Sequence, residues 1–332
     1  MVWAGVTAMG HEEQTPRGLK GLALSRKLYD IVKFSVDMDI FSKTDQAVSL
    51  EMLVEDIGVD AHFLELLLGV LENAGFMGSN ILDGTRSFMN TGVSRTYLSL
   101  NSPYFIGDDI FNDADTYDIL SAYVSDGPPD AGIDQSFWTA EFVRTIGSKS
   151  LMGPLQETLE SVDLTGRKRL LDVGGGHALY SIFFTRRYPP LEAWVLDLPA
   201  VIPTAEEHIQ KFGASDRVHP IACALENLAG EKKYDVVFAS NYAGSRDRLW
   251  DLVSRSRTLL EDNGWLIVRS YARDVKDDAA SALVSLDRYA RRGHPGLASA
   301  DYISALEAHG LTGIVELYRG DGVIILKGKK DR

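Results

Sequence analysis

The residues best suited to chemistry lie mid-chain. Leu170-Leu171-Asp172-Val173 runs directly into Gly174-Gly175-Gly176, and 21 residues after the last glycine stands Asp197, followed by Leu198 and Pro199. A short apolar strand opening into glycines, then a second apolar strand ending in an acid, is how an α/β sheet presents its carboxyl edge to a nucleoside cofactor. The glycines let a ligand approach the backbone, and the spaced carboxylate can accept hydrogen bonds from ribose hydroxyls. Without the acid, the same turn would read equally as a tight strand-to-helix connection. Two nucleotide sites fit poorly. The dinucleotide fingerprint wants glycine where Leu179 stands, and no Gly-Lys-Ser/Thr phosphate loop occurs anywhere in the chain.

The elements that must hold these residues alternate. The expected order is strand 169–173, helix from about 177, strand 192–196, helix 200–212, strands 218–222 and 234–240, helix 246–261 and strand 264–271. Such alternation implies a parallel sheet covered by helices on both faces. The C-terminal IVELYRGDGVIILKG reads as a hairpin turning at Gly320-Asp321-Gly322. Upstream, LALSRKLYDIVKF and HFLELLLGVLENAGF carry helical periodicity. Ser49 is a side-chain cap opening a helix, and Gly75 is the stop of the next. Helices followed by short extended pieces near Phe76 and Ser87 suggest a winged-helix-like domain over 1–105. Residues 106–166 read as connecting helices, with a turn at Gly127-Pro128-Pro129 and an amphipathic stretch through Phe137, Trp138, Phe142 and Ile146. The α/β domain occupies 167–332.

Composition agrees with an enzyme of this size. The 332 residues are 45% hydrophobic and 24% charged, enough for one large and one smaller core. A net charge of −13 opposes nucleic-acid or anionic-membrane partners, which require a basic face. No apolar run reaches membrane-spanning length, and MVWAGVTAMGHEEQ lacks the basic and apolar regions of a secretory signal. The single cysteine, Cys223, excludes an internal disulfide and suits a reducing cytoplasm. No His/Cys/acid spacing suggests a metal site.

The stretch LDVGGGHALYSIFFTRRYPPLEAWVLDLPAVIPTAEEHI resembles the S-adenosylmethionine site of the class I small-molecule O-methyltransferases, the family of the caffeic acid and hydroxyindole enzymes. The similarity extends along the chain. It implies a Rossmann-like sheet ending in an antiparallel hairpin, an N-terminal domain that makes a homodimer, and S-adenosylmethionine or S-adenosylhomocysteine as cofactor. Asp172, Gly174, Gly175 and Gly176 match the family's acidic-Gly-x-Gly turn, with Ala178 where a third glycine is usual. Asp197 and Leu198 match the ribose and adenine-edge positions. The family's Gly-Asp-Phe/Met reads Cys223-Ala224-Leu225, which keeps an apolar residue at Leu225 and loses the adenine-binding acid. Ser240 and Asn241 either face the cofactor's amino-acid moiety or form an ordinary strand-to-loop cap. The family helix that walls the substrate pocket corresponds to the stretch carrying Phe137, Trp138, Phe142 and Ile146, although aromatics at helical spacing are more often ordinary core.

Catalysis departs further from the family. Its histidine base follows the fourth strand, where this chain reads Asn241-Tyr242-Ala243-Gly244-Ser245-Arg246-Asp247, so the position falls on Ala243 or Gly244. The two acids that orient that histidine also lack counterparts: one segment reads Gly293-His294-Pro295-Gly296-Leu297-Ala298-Ser299, and the other acid falls near Ile325. Tyr242, Arg291, Arg292 and His294 are the polar residues near that place, with Tyr242, Arg291 and His294 the candidates for catalysis. His177 is expected at the cofactor edge or in solvent. The expected function is methyl transfer to a small aromatic or polycyclic metabolite without the histidine base. Two alternatives stand beside it: an S-adenosylmethionine enzyme of decarboxylase, hydroxylase or pericyclase type, and a non-catalytic ligand-binding or partner protein.

Overall fold

The computed structural model describes residues 16–82, 85–111, 116–127, 129, 138–229, 233–275, 279–293 and 295–331. Contacts divide the chain into two compact units, Met1–Asp113 and Ala114–Arg332.

The first unit contains helices α1 (Pro16–Asp37) and α2 (Ile40–Lys43), strand β1 (Val48–Ser49), helices α3 (Leu50–Ile57) and α4 (Ala61–Asn73), strands β2 (Met77–Leu82) and β3 (Thr85–Asn90), and helices α5 (Gly92–Tyr97) and α6 (Gly107–Phe111). Ser49 caps α3 by accepting from the Met52 amide, and Asp60 caps α4 through Phe63. Gly75, at φ 83°, follows α4 and turns the chain into β2. The strands form a small antiparallel sheet in the order β1-β3-β2. Its core is Phe41, Leu53, Leu64, Leu68, Leu71 and Phe88.

The second unit opens with α7 (Thr116–Asp126), α8 (Ala140–Leu151) and α9 (Pro154–Ser161). There follow β4 (Arg169–Val173), α10 (Leu179–Arg187), β5 (Glu192–Asp197), α11 (Ile202–Lys211), β6 (Val218–Ala222), β7 (Tyr234–Ser240) and α12 (Arg246–Leu259). The chain continues through β8 (Leu260–Tyr271), α13 (Ala279–Arg292), α14 (Ser299–Ala308), β9 (Leu311–Gly320) and β10 (Val323–Lys330). The seven strands lie in the order β6-β5-β4-β7-β8-β10-β9. Neighbours from β6 to β8 are parallel, and β10 runs antiparallel to both β8 and β9. Continuous apolar strands such as YDVVFA and WLIV suit a sheet covered on both faces, and Leu170, Val195, Val237, Phe238 and Ile267 are fully buried. The sheet grows outward in both directions from β4, so the carboxyl end of β4 is the topological switch point where open α/β sheets bind ligands. The glycine run stands there. Among the described residues no helix is long and apolar enough to cross a membrane.

Two of the boundaries that differ from the sequence expectation have a backbone cause. Helix α10 begins at Leu179 rather than near 177 because Gly176 and Ala178 both have positive φ, 37° and 61°. Strand β8 begins at Leu260 rather than 264, with a register irregularity where Asn263 takes φ 63° and Gly264 sits tightly against the Glu261 carbonyl. Helix α13 runs through Arg291 and Arg292, and Gly293 follows it at φ 68°.

Candidate active site

The turn after β4 is built so that backbone, not side chain, lines it. The amides of Gly174 and Gly175 both reach the Leu196 carbonyl, tying the turn to the end of β5. A Cβ on Gly174 would lie 2.6 Å from Cδ2 of Tyr242, one on Gly175 would lie 2.7 Å from the Asp172 carboxyl carbon, and one on Gly176 would lie 2.9 Å from a Val143 methyl. Gly174 and Gly176 also have positive φ, so an added side chain would meet both strain and a clash. Beneath the turn, Asp172 is buried and accepts from the Ser181 hydroxyl at 2.8 Å. Its other oxygen is buried without a partner. Burial, with the Asp197 charge adding to it, pushes its carboxyl up to about 7.

Asp197 closes the other side. Its carboxylate accepts from the Gly176 amide at 2.9 Å and the Leu198 amide at 2.7 Å, and burial raises it against those two bonds. Leu225 is buried at the start of a short 3-10 turn after β6. The Tyr242 ring packs over Gly174, and its hydroxyl is raised by burial and then by the charge of Glu226. This expected catalytic residue thus stands against the glycine turn. Asn241 adopts φ 52°, donates its amide to the Arg269 carbonyl and accepts from the Tyr271 amide through its side chain, which makes it a junction between β7 and β8. Ser240, half-buried, precedes it at the end of β7.

Helix α8 walls the turn. Val143 touches Gly176, and Gly147 lies so close to His177 that a Cβ there would sit 2.9 Å from the histidine. Trp138 and Phe142 form an edge-to-face pair with centroids 5.8 Å apart, and Phe142 and Ile146 are half-buried. Phe137 lies outside the described residues. His177 is buried rather than at a solvent edge: Nδ1 accepts the Leu179 amide at 3.1 Å and its carbonyl accepts from His208. Burial drives its pKa down to about 3, keeping the ring neutral for this helix-starting bond.

Ala243 and Gly244, on which the expected histidine position falls, are small residues. Ala243 is buried, and Gly244 precedes the Ser245 cap of α12. A Cβ on Gly244 would lie 3.9 Å from Nη1 of Arg292. Arg292 is half-buried, and burial followed by the neighbouring Arg288 guanidinium lowers it to about 10, still a cation at neutral pH. Arg288 stacks over the Tyr271 ring at 4.3 Å. Arg291 is instead exposed and bonded to Asp287 at 2.8 Å, one turn back on α13. Ile325 is fully buried in β10 and supplies no acid. His294 lies outside the described residues. Sequence reasoning named Arg292 without a role and missed Arg288 and Val143. A signal for the arginines did exist: like charges spaced i,i+4 on one helix face disfavour the helix, whereas Asp287 and Arg291 at the same spacing favour it.

Residues 131–228 match the family described as the O-methyltransferase domain. This stretch is similar to that family. The match takes in α8, the glycine turn, Asp197 and Leu225, so the domain's family and its geometry coincide on the same residues. The fold of the whole chain is similar to those of solved methyltransferases. Human N-acetylserotonin methyltransferase, solved in complex with SAM, superposes with a TM-score of 0.74 at 17% identity, covering 98% of this chain and 100% of that one. The N,N-8-amino-8-demethyl-D-riboflavin dimethyltransferase of Streptomyces davawensis gives 0.72 at 15% identity, covering 96% and 100%. By sequence, 3-hydroxy-5-methyl-1-naphthoate 3-O-methyltransferase of Streptomyces sahachiroi is 36% identical over 89 residues, 26% of this chain and 24% of the relative. An uncharacterized protein of Methanocaldococcus jannaschii is 22% identical over 258 residues, 76% of this chain and 68% of that protein.

Proposed function

We propose that the protein is an S-adenosylmethionine-dependent methyltransferase acting on a small aromatic or polycyclic metabolite without a histidine base. The observation that carries this reading is the turn after β4, where three glycines exclude side chains and Asp172 keeps a buried oxygen without a partner, within the O-methyltransferase match. The residues fit such a cofactor: Gly174, Gly175 and Gly176 leave backbone free for it, Asp197 has lone pairs for ribose hydroxyls, and Leu198 and Leu225 offer apolar edges to an adenine. Ser240 and Asn241 lie on the amino-acid side. When bound, the cofactor supplies an electrophilic sulfonium methyl. The protein's part is to orient the acceptor and exclude water, and proximity of this kind provides much of the rate of a displacement. The bicyclic aromatic substrate in the name of the Streptomyces sahachiroi relative supports an aromatic acceptor. Calorimetric titration with S-adenosylhomocysteine tests the reading: saturable binding supports it, and absence of binding by the folded chain refutes it.

The emptiness at Gly244 makes a specific expectation. A phenol near pKa 10 finds no base there, so the natural chain is expected to be poor with simple catechols. Gly244→His places an imidazole beside Arg292 and is expected to create weak catechol methylation, read as labelled methyl in the product. Vigorous catechol methylation by the unaltered chain would contradict this placement of the catalytic segment. The same absence supports, as a second reading, a reaction that leaves the methyl on the cofactor, recognised by conversion of substrate with the labelled cofactor recovered intact.

The N-terminal unit is proposed as winged-helix-like and as the contact of a cytoplasmic homodimer serving small-molecule biosynthesis. Phe63, Leu66 and Val70 are exposed along α4, more apolar surface than a solvated helix ordinarily shows. The full-length chain is expected to scatter light as a dimer. A monomer at micromolar concentration would remove this part.

A further inference from the structure

Two arginines of α13 stand close together, and one of them, Arg292, reaches Gly244. Arg288 and Arg292 are one turn apart, both half-buried, and among the described residues neither donates a hydrogen bond or joins an ion pair. Arg288 lies on the Tyr271 ring and feels the Asp287 charge without bonding to it, and Arg292 approaches Gly244. The Asp287 carboxylate beside them is bonded to Arg291. Removing guanidinium groups from water without a counter-charge is costly, and placing two together adds repulsion, so the arrangement is retained against its own stability. A small cleft, partly open to solvent, is lined by Arg288, Tyr271, Ser285, Pro295 and Gly322; Arg292 is not part of its wall. The two side chains therefore offer cationic donors of fork geometry, one of them against a planar aromatic ring.

We infer that Arg288 and Arg292 form an anion-binding subsite of the acceptor pocket, and that it takes the carboxylate of a small aromatic acid. The word acceptor rests on the methyltransferase reading; the anion site itself does not. A carboxylic acid with pKa near 4 arrives ionised at neutral pH and asks for no protein base, which agrees with Gly244 standing where a histidine is usual. The local positive field also gives an acidic ligand a reason to enter a chain whose net charge is −13.

The test uses the full chain, titrated calorimetrically with benzoate and 1-naphthoate and with their neutral counterparts, benzyl alcohol and 1-naphthylmethanol, with and without S-adenosylhomocysteine. The carboxylates are expected to bind about tenfold or more tightly than the alcohols, and Arg292→Gln or Arg288→Gln to erase most of that gap. Arg291→Gln, which alters a guanidinium already paired with Asp287, is expected to leave the gap in place. Circular dichroism checks that each variant folds; should one fail, the other and the salt dependence of carboxylate binding to the natural chain decide. No carboxylate preference in the natural chain, or a preference that survives both substitutions, overturns the subsite. Carboxylate preference without S-adenosylhomocysteine binding would instead refute the methyltransferase reading and leave the subsite standing.

Discussion

Asp172→Asn is expected to change how stability depends on pH by several kcal/mol. In the folded chain burial holds the Asp172 carboxyl up to about 7, against 3.8 for an ordinary aspartate. Below pH 4 the acid is protonated in both the folded and unfolded states. Between about 4 and 7 the unfolded chain releases the proton while the folded chain keeps it, so raising the pH favours unfolding; above 7 both are ionised and the effect is level. Three pKa units correspond to a ceiling of about 4 kcal/mol, lost progressively across that window. An asparagine removes the titration, keeps an acceptor for Ser181, and places its amide where Asp172 has an oxygen without a partner. The variant is therefore expected to be relatively more stable at pH 8 than at pH 5 when each is compared with the natural chain. His177 works in the opposite direction, because its depressed pKa makes stability fall as the pH drops from 6.5 toward 3. The difference between the two chains, not the natural curve alone, is what urea titrations at pH 5 and pH 8 must read. Parallel curves would show that Asp172 is ionised in the fold throughout.

What was legible in the sequence is what depends on local pattern. Apolar runs such as YDVVFA report buried strands because both faces of a parallel sheet are covered. The alternation of strand and helix then leaves few topologies. The glycine turn and Asp197 were legible for the same reason: the constraint and the residues that satisfy it lie within about one strand-helix-strand unit. The misread boundaries trace to single backbone choices. Ala178 in the left-handed region delays α10, and a non-glycine residue there gives no warning. The substrate side was the least legible because its contacts are non-local. Arg292 meets Gly244 across 48 residues of chain, and Tyr242 meets Gly174 across 68. Spacing marks Arg288 and Arg292 as sharing a helix face, but only the fold shows that Arg292 comes to Gly244. Arg291 was the candidate in the sequence, yet a helix sends adjacent residues about 100° apart, so Arg291 turns to Asp287 and Arg292 to Gly244.

Asp197→Ala is expected to weaken S-adenosylhomocysteine binding about 10- to 150-fold. One part of that loss is the proposed ribose contact, a charge-assisted hydrogen bond contributing roughly 1.5 to 3 kcal/mol. The other part is organisation. Asp197 now accepts from the Gly176 and Leu198 amides, so its removal frees the last glycine of the turn and leaves two buried donors to find other partners. These parts separate experimentally. Asp197→Asn retains a carbonyl oxygen able to accept from one backbone amide while discarding the charge, so it is expected to restore much of the melting temperature and less of the affinity. If the carboxylate were only a support for the turn, asparagine would recover both together. If it binds ribose, the two variants diverge in affinity less than in stability, and both lose most of the temperature shift that saturating S-adenosylhomocysteine gives the natural chain. Unchanged affinity in a folded alanine variant would remove Asp197 from the cofactor site, and with it the spacing argument on which the reading of the glycine turn depends.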